Sequence, residues 1–312
     1  MRLAAAVAGV AILIALGVLL AYGLLQPLMW STTVWVFGVE HSTQVIYLPP
    51  FHPFSTIDVF DADNNVHGTH FYLLGSDDGG RDLLALTARG ALPSLALVGL
   101  VVIARFLIGA LAGLAMGLGN GPVRRVSRGM SRWVIGFPYL ALAIIVIHAL
   151  SGRSRLLAFV IGMAVVGWRD VAEVVAERIE YVRSQPFAMS ARALGTRGLT
   201  FFRIHVVPHL RPALAVELPF QASAVLVLLA ELGYLKVFIG GVITLTEGER
   251  GDQPLQLLTQ PELGQLLSDS YRYILHNQFL PVLVPALTIA LAALAFELIG
   301  TGLRSRTDRS VR

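Results

Sequence analysis

Apolar residues along the chain gather into six runs, separated by segments rich in arginine, glycine, proline and aromatic residues. The runs cover Leu3–Leu25, Leu92–Leu118, Val134–Leu150, Leu156–Val175, Ala213–Leu235 and Leu280–Leu303. A hydrocarbon core about 30 Å thick is crossed by roughly 20 helical residues, so the pattern predicts an all-α, polytopic membrane protein with six transmembrane helices. The third run is short, and Pro138 blurs its start. The first is longer than the roughly 7–15-residue apolar core of a signal peptide and is not followed by a small-residue cleavage site. It is expected to stay as a span.

Composition agrees with a lipid-dissolved chain. Of 312 residues, 55% are hydrophobic and 14% charged, with a mean hydropathy of +0.69. The absence of cysteine excludes disulfides, thiolate metal sites and cysteine nucleophiles. The basic pI does not read as nucleic-acid binding, because the positive charge is almost all arginine, Lys236 being the one lysine, and it falls in short blocks between spans. Those blocks orient the chain. With both termini cytoplasmic, the cytoplasmic segments hold sixteen basic residues and the longer external segments seven, as the positive-inside rule requires. Two external segments, about 26–91 and 236–279, are too long to be simple turns. The expected organisation is therefore an N-terminal helix and external segment over residues 1–91, followed by a membrane core over 92–312 with a cytoplasmic loop at about 180–212.

Four sets of motifs carry more than topology. The loop reads Ala188-Met-Ser-Ala-Arg-Ala-Leu-Gly195, with Pro208 thirteen residues after the glycine. Before the second run stands Leu74-Gly-Ser-Asp-Asp-Gly-Gly-Arg-Asp82, and Ala230-Glu231 ends the fifth. The endings Gly264–Tyr271, Pro285–Ile289 and Gly300–Arg304 follow in order. Together these resemble ABC importer permeases of the dipeptide/oligopeptide/nickel branch, C-type, over roughly residues 70–308. The loop is similar to their E-A-A…G…P loop, with Met189 at the glutamate, Ser190 and Ala191 at the alanines, and His205 at an apolar position. Departures elsewhere include Glu173 and Ala176 after Trp168, and Ala85-Leu86 after the G-R-D triplet.

The resemblance implies a type I importer permease fold working with ATP-binding subunits, a second homologous permease and an extracytoplasmic substrate-binding protein. The passenger would be a peptide or similar small solute, carried by alternating access without a cofactor. No G-x-x-x-x-G-K-[ST] motif occurs in the sequence, so ATP hydrolysis belongs to a partner and the chain is not an enzyme. In the loop, Ser190, Ala191 and Gly195 are small enough for close approach, Gly195 suits a left-handed helix end, and Arg192 and Arg197 suit acidic groups on the ATPase. Steric fit at Ala191 and Gly195 is expected to carry coupling. Gly75, Asp77, Gly80, Arg81 and Asp82 read as a hydrogen-bonded turn at a membrane entry.

Arg105, mid-span, either lines the translocation path or forms an internal structural contact; it is not expected to face lipid. Glu231 is the other path candidate, although it also suits an ordering role at the end of its span. Gly109, Gly113 and Gly117 give the second span a close-packing face, directed at the fifth span or at a partner permease. His41, His52, His67 and His70 lack a convincing metal spacing, and no metal is assigned. A secondary transporter or channel using Arg105 and the glutamates is the alternative.

Overall fold

The computed structural model describes residues 2–26, 36–40, 43–47, 50–60, 66–78, 80–119, 121–152, 154–196, 198–239, 242–245, 255–258 and 261–310. Helix α1 (Arg2–Leu25) is followed by two antiparallel hairpins, β1 (Val36–Glu40) with β2 (Thr43–Tyr47) and β3 (Ser55–Phe60) with β4 (Val66–Tyr72). Then come α2 (Leu83–Leu118), α3 (Gly121–Ile135), α4 (Tyr139–Leu150), α5 (Arg155–Ser184), α6 (Pro186–Ala193) and α7 (Gly198–Phe201). A π-helical turn, Phe202–Val206, leads into α8 (Val207–Tyr234). A third hairpin, β5 (Val242–Leu245) with β6 (Leu255–Leu258), precedes α9 (Leu263–Leu266), α10 (Ser270–Leu275) and α11 (Leu280–Ser310).

Among the described residues four helices are long and apolar enough to cross a membrane: Ala4–Leu25, Leu83–Leu118, Phe202–Tyr234 and Leu280–Ser305. They cover the first, second, fifth and sixth expected spans except for the end residues Leu3 and Leu235. The other two fall on less simple elements. The third divides between α3 and the 12-residue α4, because Pro138 disfavours helix at Phe137 and breaks the path after Gly136. The fourth is roughly the first two-thirds of the 30-residue α5, and its last turns already fall in the part that is charged from Arg169 onward.

Helix α2 starts nine residues before the expected position, because Asp82 caps it. The Ala85 N–H donates to Asp82 Oδ1 at 2.9 Å, satisfying an otherwise orphaned helix donor. The expected boundary at residues 91 and 92 thus falls inside α2.

The chain forms two compact units. One comprises residues 1–13, 96–232 and 291–312 and is organised around α5. There, Gly109, Gly113 and Gly117 of α2 abut Val171, Val175 and Ile179 of α5. The glycine face therefore serves the fourth span, not the fifth. Identical i, i+4 spacing on the two helices lets the backbones approach, and periodicity alone identifies a face without its partner. The other unit comprises residues 14–95 and 233–290. Its helices also meet through glycine: Gly23 against Leu84 and Ala88, and Gly233 against Gly264.

Candidate functional site

The loop after α5 is built by two prolines and a glycine. Gln185 adopts an extended conformation (φ −75°, ψ 145°) before Pro186, which suits the first position of the next helix. Helix α6 is seated on a closed apolar core of Val175, Ile179, Val182, Ala188, Phe201, Val206 and Leu210. Ala188 is 0% exposed, and Ala191, one turn on, is half-buried against the same core. The outward surface is instead Met189, Ser190, Leu194 and Gly195, with Leu194 86% exposed. Ala191 thus seats the helix, and the tip beyond it carries the free surface.

The tip has a defined shape. Leu194 N–H donates to Ser190 C=O at 3.0 Å, and Thr196 N–H reaches back to Ala191 C=O at 2.9 Å. Gly195 between them has φ +86° with open space around its missing Cβ. This is the left-handed glycine termination anticipated from the sequence. The Arg192 side chain and Arg197 lie outside the described residues.

The return path is aromatic. His205 lies 5.2 Å from the Phe201 ring and 5.9 Å from Phe187, and His209 stacks on Phe187 at 5.9 Å. His209 Nδ1 is 2.8 Å from the His205 carbonyl. His205 therefore makes ring contacts at a position where the resembled pattern has an apolar residue. Pro208 is exposed in the first turn of α8, directly after the π turn.

Arg105 is buried and tied to two other helices. Its Nε and Nη2 donate to the Met163 carbonyl at 3.2 and 3.0 Å, and Nη1 donates to Gln221 Oε1 at 2.8 Å. Gly167 makes room, since a Cβ there would overlap the guanidinium. Gln221 in turn donates to Glu217 at 2.9 Å. The charge is kept from lipid by neutral oxygens of α5 and α8, as an intramembrane charge requires. Glu231 is bound differently: the Tyr139 hydroxyl lies 2.7 and 2.9 Å from its two oxygens.

In the other unit the Leu74–Asp82 segment is a knot of buried polar contacts. Gly75 (φ +83°) and Gly80 (φ +73°) supply left-handed turns. Asp77 pairs with Arg81, at 2.6 Å to Nε and 2.5 Å to Nη2. The Tyr72 hydroxyl donates to the Gly80 carbonyl at 2.9 Å, and His70 lies 3.4 Å from Asp82. Burial, reinforced by Asp82 and Asp77, pushes the Tyr72 phenol above its ordinary range. Arg272 of α10 reaches Asp78 at 2.9 Å. His70 is thus a partner of Asp82 in this knot, while His41 lies outside the described residues.

Sequence reasoning missed two features. Gln221, 116 positions from Arg105, had no local signal. The Phe187–His205–His209 stack had one, because His205 and His209 share a helical face, but the spacing does not name Phe187.

Residues 106–312 match the family described as binding-protein-dependent transport system inner membrane component. The chain is 22% identical over 264 residues to a dipeptide transport system permease protein, DppC, of Bacillus subtilis (strain 168), covering 85% of this chain and 77% of that one. It is 26% identical over 283 residues to DppC of Alkalihalophilus pseudofirmus, covering 89% and 86%. It is 28% identical over 261 residues to a glutathione transport system permease protein, GsiD, of Escherichia coli (strain UTI89 / UPEC), covering 83% and 80%. With more than half of its length matched, the chain belongs to the family of binding-protein-dependent transport system inner membrane components, and it is a multi-pass permease subunit of an ABC importer.

Proposed function

We propose that this permease carries a peptide or similar small solute inward and that its α6 tip receives the movement of a separate ATPase subunit. Both termini and the tip are cytoplasmic in this reading, and the membrane core over residues 92–312 pairs with a second, homologous permease. A substrate-binding protein delivers the solute on the opposite face. ATP binding closes the ATPase dimer, the tip moves with it, and the cavity opens outward by rigid-body movement of the spans.

The observation that carries the reading is mechanical. The exposed tip at Met189, Ser190, Leu194 and Gly195 rests on a core shared with α5 and α8, so a push on it is delivered to two long helices at once. A helix packed this way cannot yield independently. Substrate class is supported by the dipeptide and glutathione permeases among the similar proteins.

The test is uptake into proteoliposomes by the assembled transporter. ATP-dependent peptide uptake that survives collapse of every ion gradient supports the reading; uptake that follows an ion gradient without ATP overturns it. Within that assay Gly195→Val, which forces a β-branched residue into φ +86°, lowers transport per ATP hydrolysed. Met189→Glu is tolerated, because Met189 is 60% exposed. Arg105 and Glu231 remain path candidates here, and the passage of peptide in Arg105→Leu is the test of the first.

A further inference from the structure

Helix α3 carries two faces that the transport reading does not use. Projected at about 100° per residue, Val123, Val126, Met130 and Trp133 fall on one side, and Arg124, Arg125, Arg128 and Arg132 on the opposite one. The helix contains no acidic residue. A third side lies along α5, where Arg124 and Arg128 both reach Glu180 and the Arg169 Nε donates to buried Ser131 at 3.2 Å.

The apolar side is turned away from the protein. Val123 is 49% exposed, Val126 63%, Met130 61% and Trp133 75%. A contiguous row of large apolar side chains requires a cover. The arginines divide in a matching way. Arg124 and Arg128 share the one carboxylate of Glu180, whereas Arg125 and Arg132 are exposed and form no ion pair among the described residues.

We propose that α3 is an interfacial helix that binds anionic phospholipid. Its Val123–Trp133 stripe enters the acyl-chain boundary, and Arg125 and Arg132 take lipid phosphates. Charge selects this occupant. An apolar helix of another protein would cover the stripe and leave two arginines uncompensated, whereas an anionic bilayer surface satisfies both faces. The flanking helices of the same unit also expose apolar side chains, among them Leu107, Leu111 and Ile145, so α3 lies in sequence between elements whose exposed surface suits a bilayer.

The chain has no cysteine, so single labels can be placed without background. Spin labels at Val126→Cys, Met130→Cys and Arg125→Cys are read in the assembled transporter, reconstituted in phosphatidylcholine vesicles with or without phosphatidylglycerol. The stripe labels are relaxed more by oxygen than by a water-soluble nickel chelate, and the Arg125→Cys label shows the reverse. The purified complex retains phosphatidylglycerol over phosphatidylcholine, and the double variant Arg125→Gln, Arg132→Gln lowers that preference roughly thirty-fold. Stripe labels reached by the nickel chelate, or shielded from both reagents by a protein partner, overturn the proposal. So does an unchanged lipid preference in the double variant.

Discussion

Replacing Gly113 by alanine tests whether the contact between α2 and α5 depends on the missing side chain. In an open helical position the change is favourable by about 1 kcal/mol, because glycine gives up more backbone freedom than alanine. At Gly113 the new Cβ would stand 2.6 Å from the Ala172 carbonyl oxygen and 2.6 Å from the Val175 Cβ. Neither atom is the end of a flexible side chain, so the helices themselves must separate. Overpacking of this kind costs about 1–3 kcal/mol, and a clash against backbone belongs at the upper end. The net expectation is a loss of about 2 kcal/mol.

Gly99 is the internal control. It lies on the same helix, and a Cβ added there would meet nothing within 4 Å, so Gly99→Ala retains only the gain of about 1 kcal/mol. Adding Val175→Ala to Gly113→Ala does not rescue stability, because alanine keeps the offending Cβ. The assay is the unfolding free energy of the purified complex from denaturant titration in detergent. Gly99→Ala and Gly113→Ala shifting stability in the same direction would refute the close-packing argument.

The buried arginine gives a coupling. A hydrogen bond to a charged group contributes about 1.5–3 kcal/mol, so Arg105→Met and Gln221→Leu should be non-additive by at least about 1 kcal/mol in a double-mutant cycle, and strict additivity would contradict the geometry. Glu262 gives a pH dependence. Burial pushes its carboxyl from 4.5 up to about 7, against the opposing hydrogen bond from the Ile239 N–H. The folded protein therefore holds a proton that the unfolded chain has released. Stability is full below pH 4.5 and falls by about 3 kcal/mol as pH rises to 7. Glu262→Gln should flatten that slope in unfolding midpoints measured across the window, and an unchanged slope would exclude Glu262 as its source. Breaking the Asp77–Arg81 pair by Asp77→Ala should cost about 3–5 kcal/mol, since it leaves a buried guanidinium without its anion; a loss below 1 kcal/mol in the same denaturant assay would count against the pair's burial.

The long apolar runs were legible because length and composition decide whether a helix suits a bilayer, and α1, α2, α8 and α11 cover the expected stretches to within an end residue. The Gly195 turn was legible too, because a left-handed helix end is a local property that glycine satisfies almost alone. Other features depended on information that is not local. The third run hid a break at Gly136–Pro138 between an amphipathic helix and a short apolar one. Apolar content does not distinguish a helix facing protein from one leaving its apolar side uncovered. The glycines on α2 announced a close contact without naming α5 as the partner. Ala191 was assigned to the outward surface because it is small, whereas its place one turn from Ala188 puts it on the seated side. The i, i+3 spacing carried that signal.

The central claim, that the α6 tip is where the ATPase engages, is tested most directly by contact. A photoreactive group is attached to Leu194→Cys, and in a second preparation to Ala188→Cys, in the assembled transporter. With Leu194 86% exposed and Ala188 0% exposed, the account predicts that illumination joins the Leu194→Cys chain to the ATPase subunit and arrests uptake. The Ala188→Cys chain joins only to itself. An intact transporter in which the label at Leu194 never reaches the ATPase, or in which Ala188 reaches it equally well, would contradict the account.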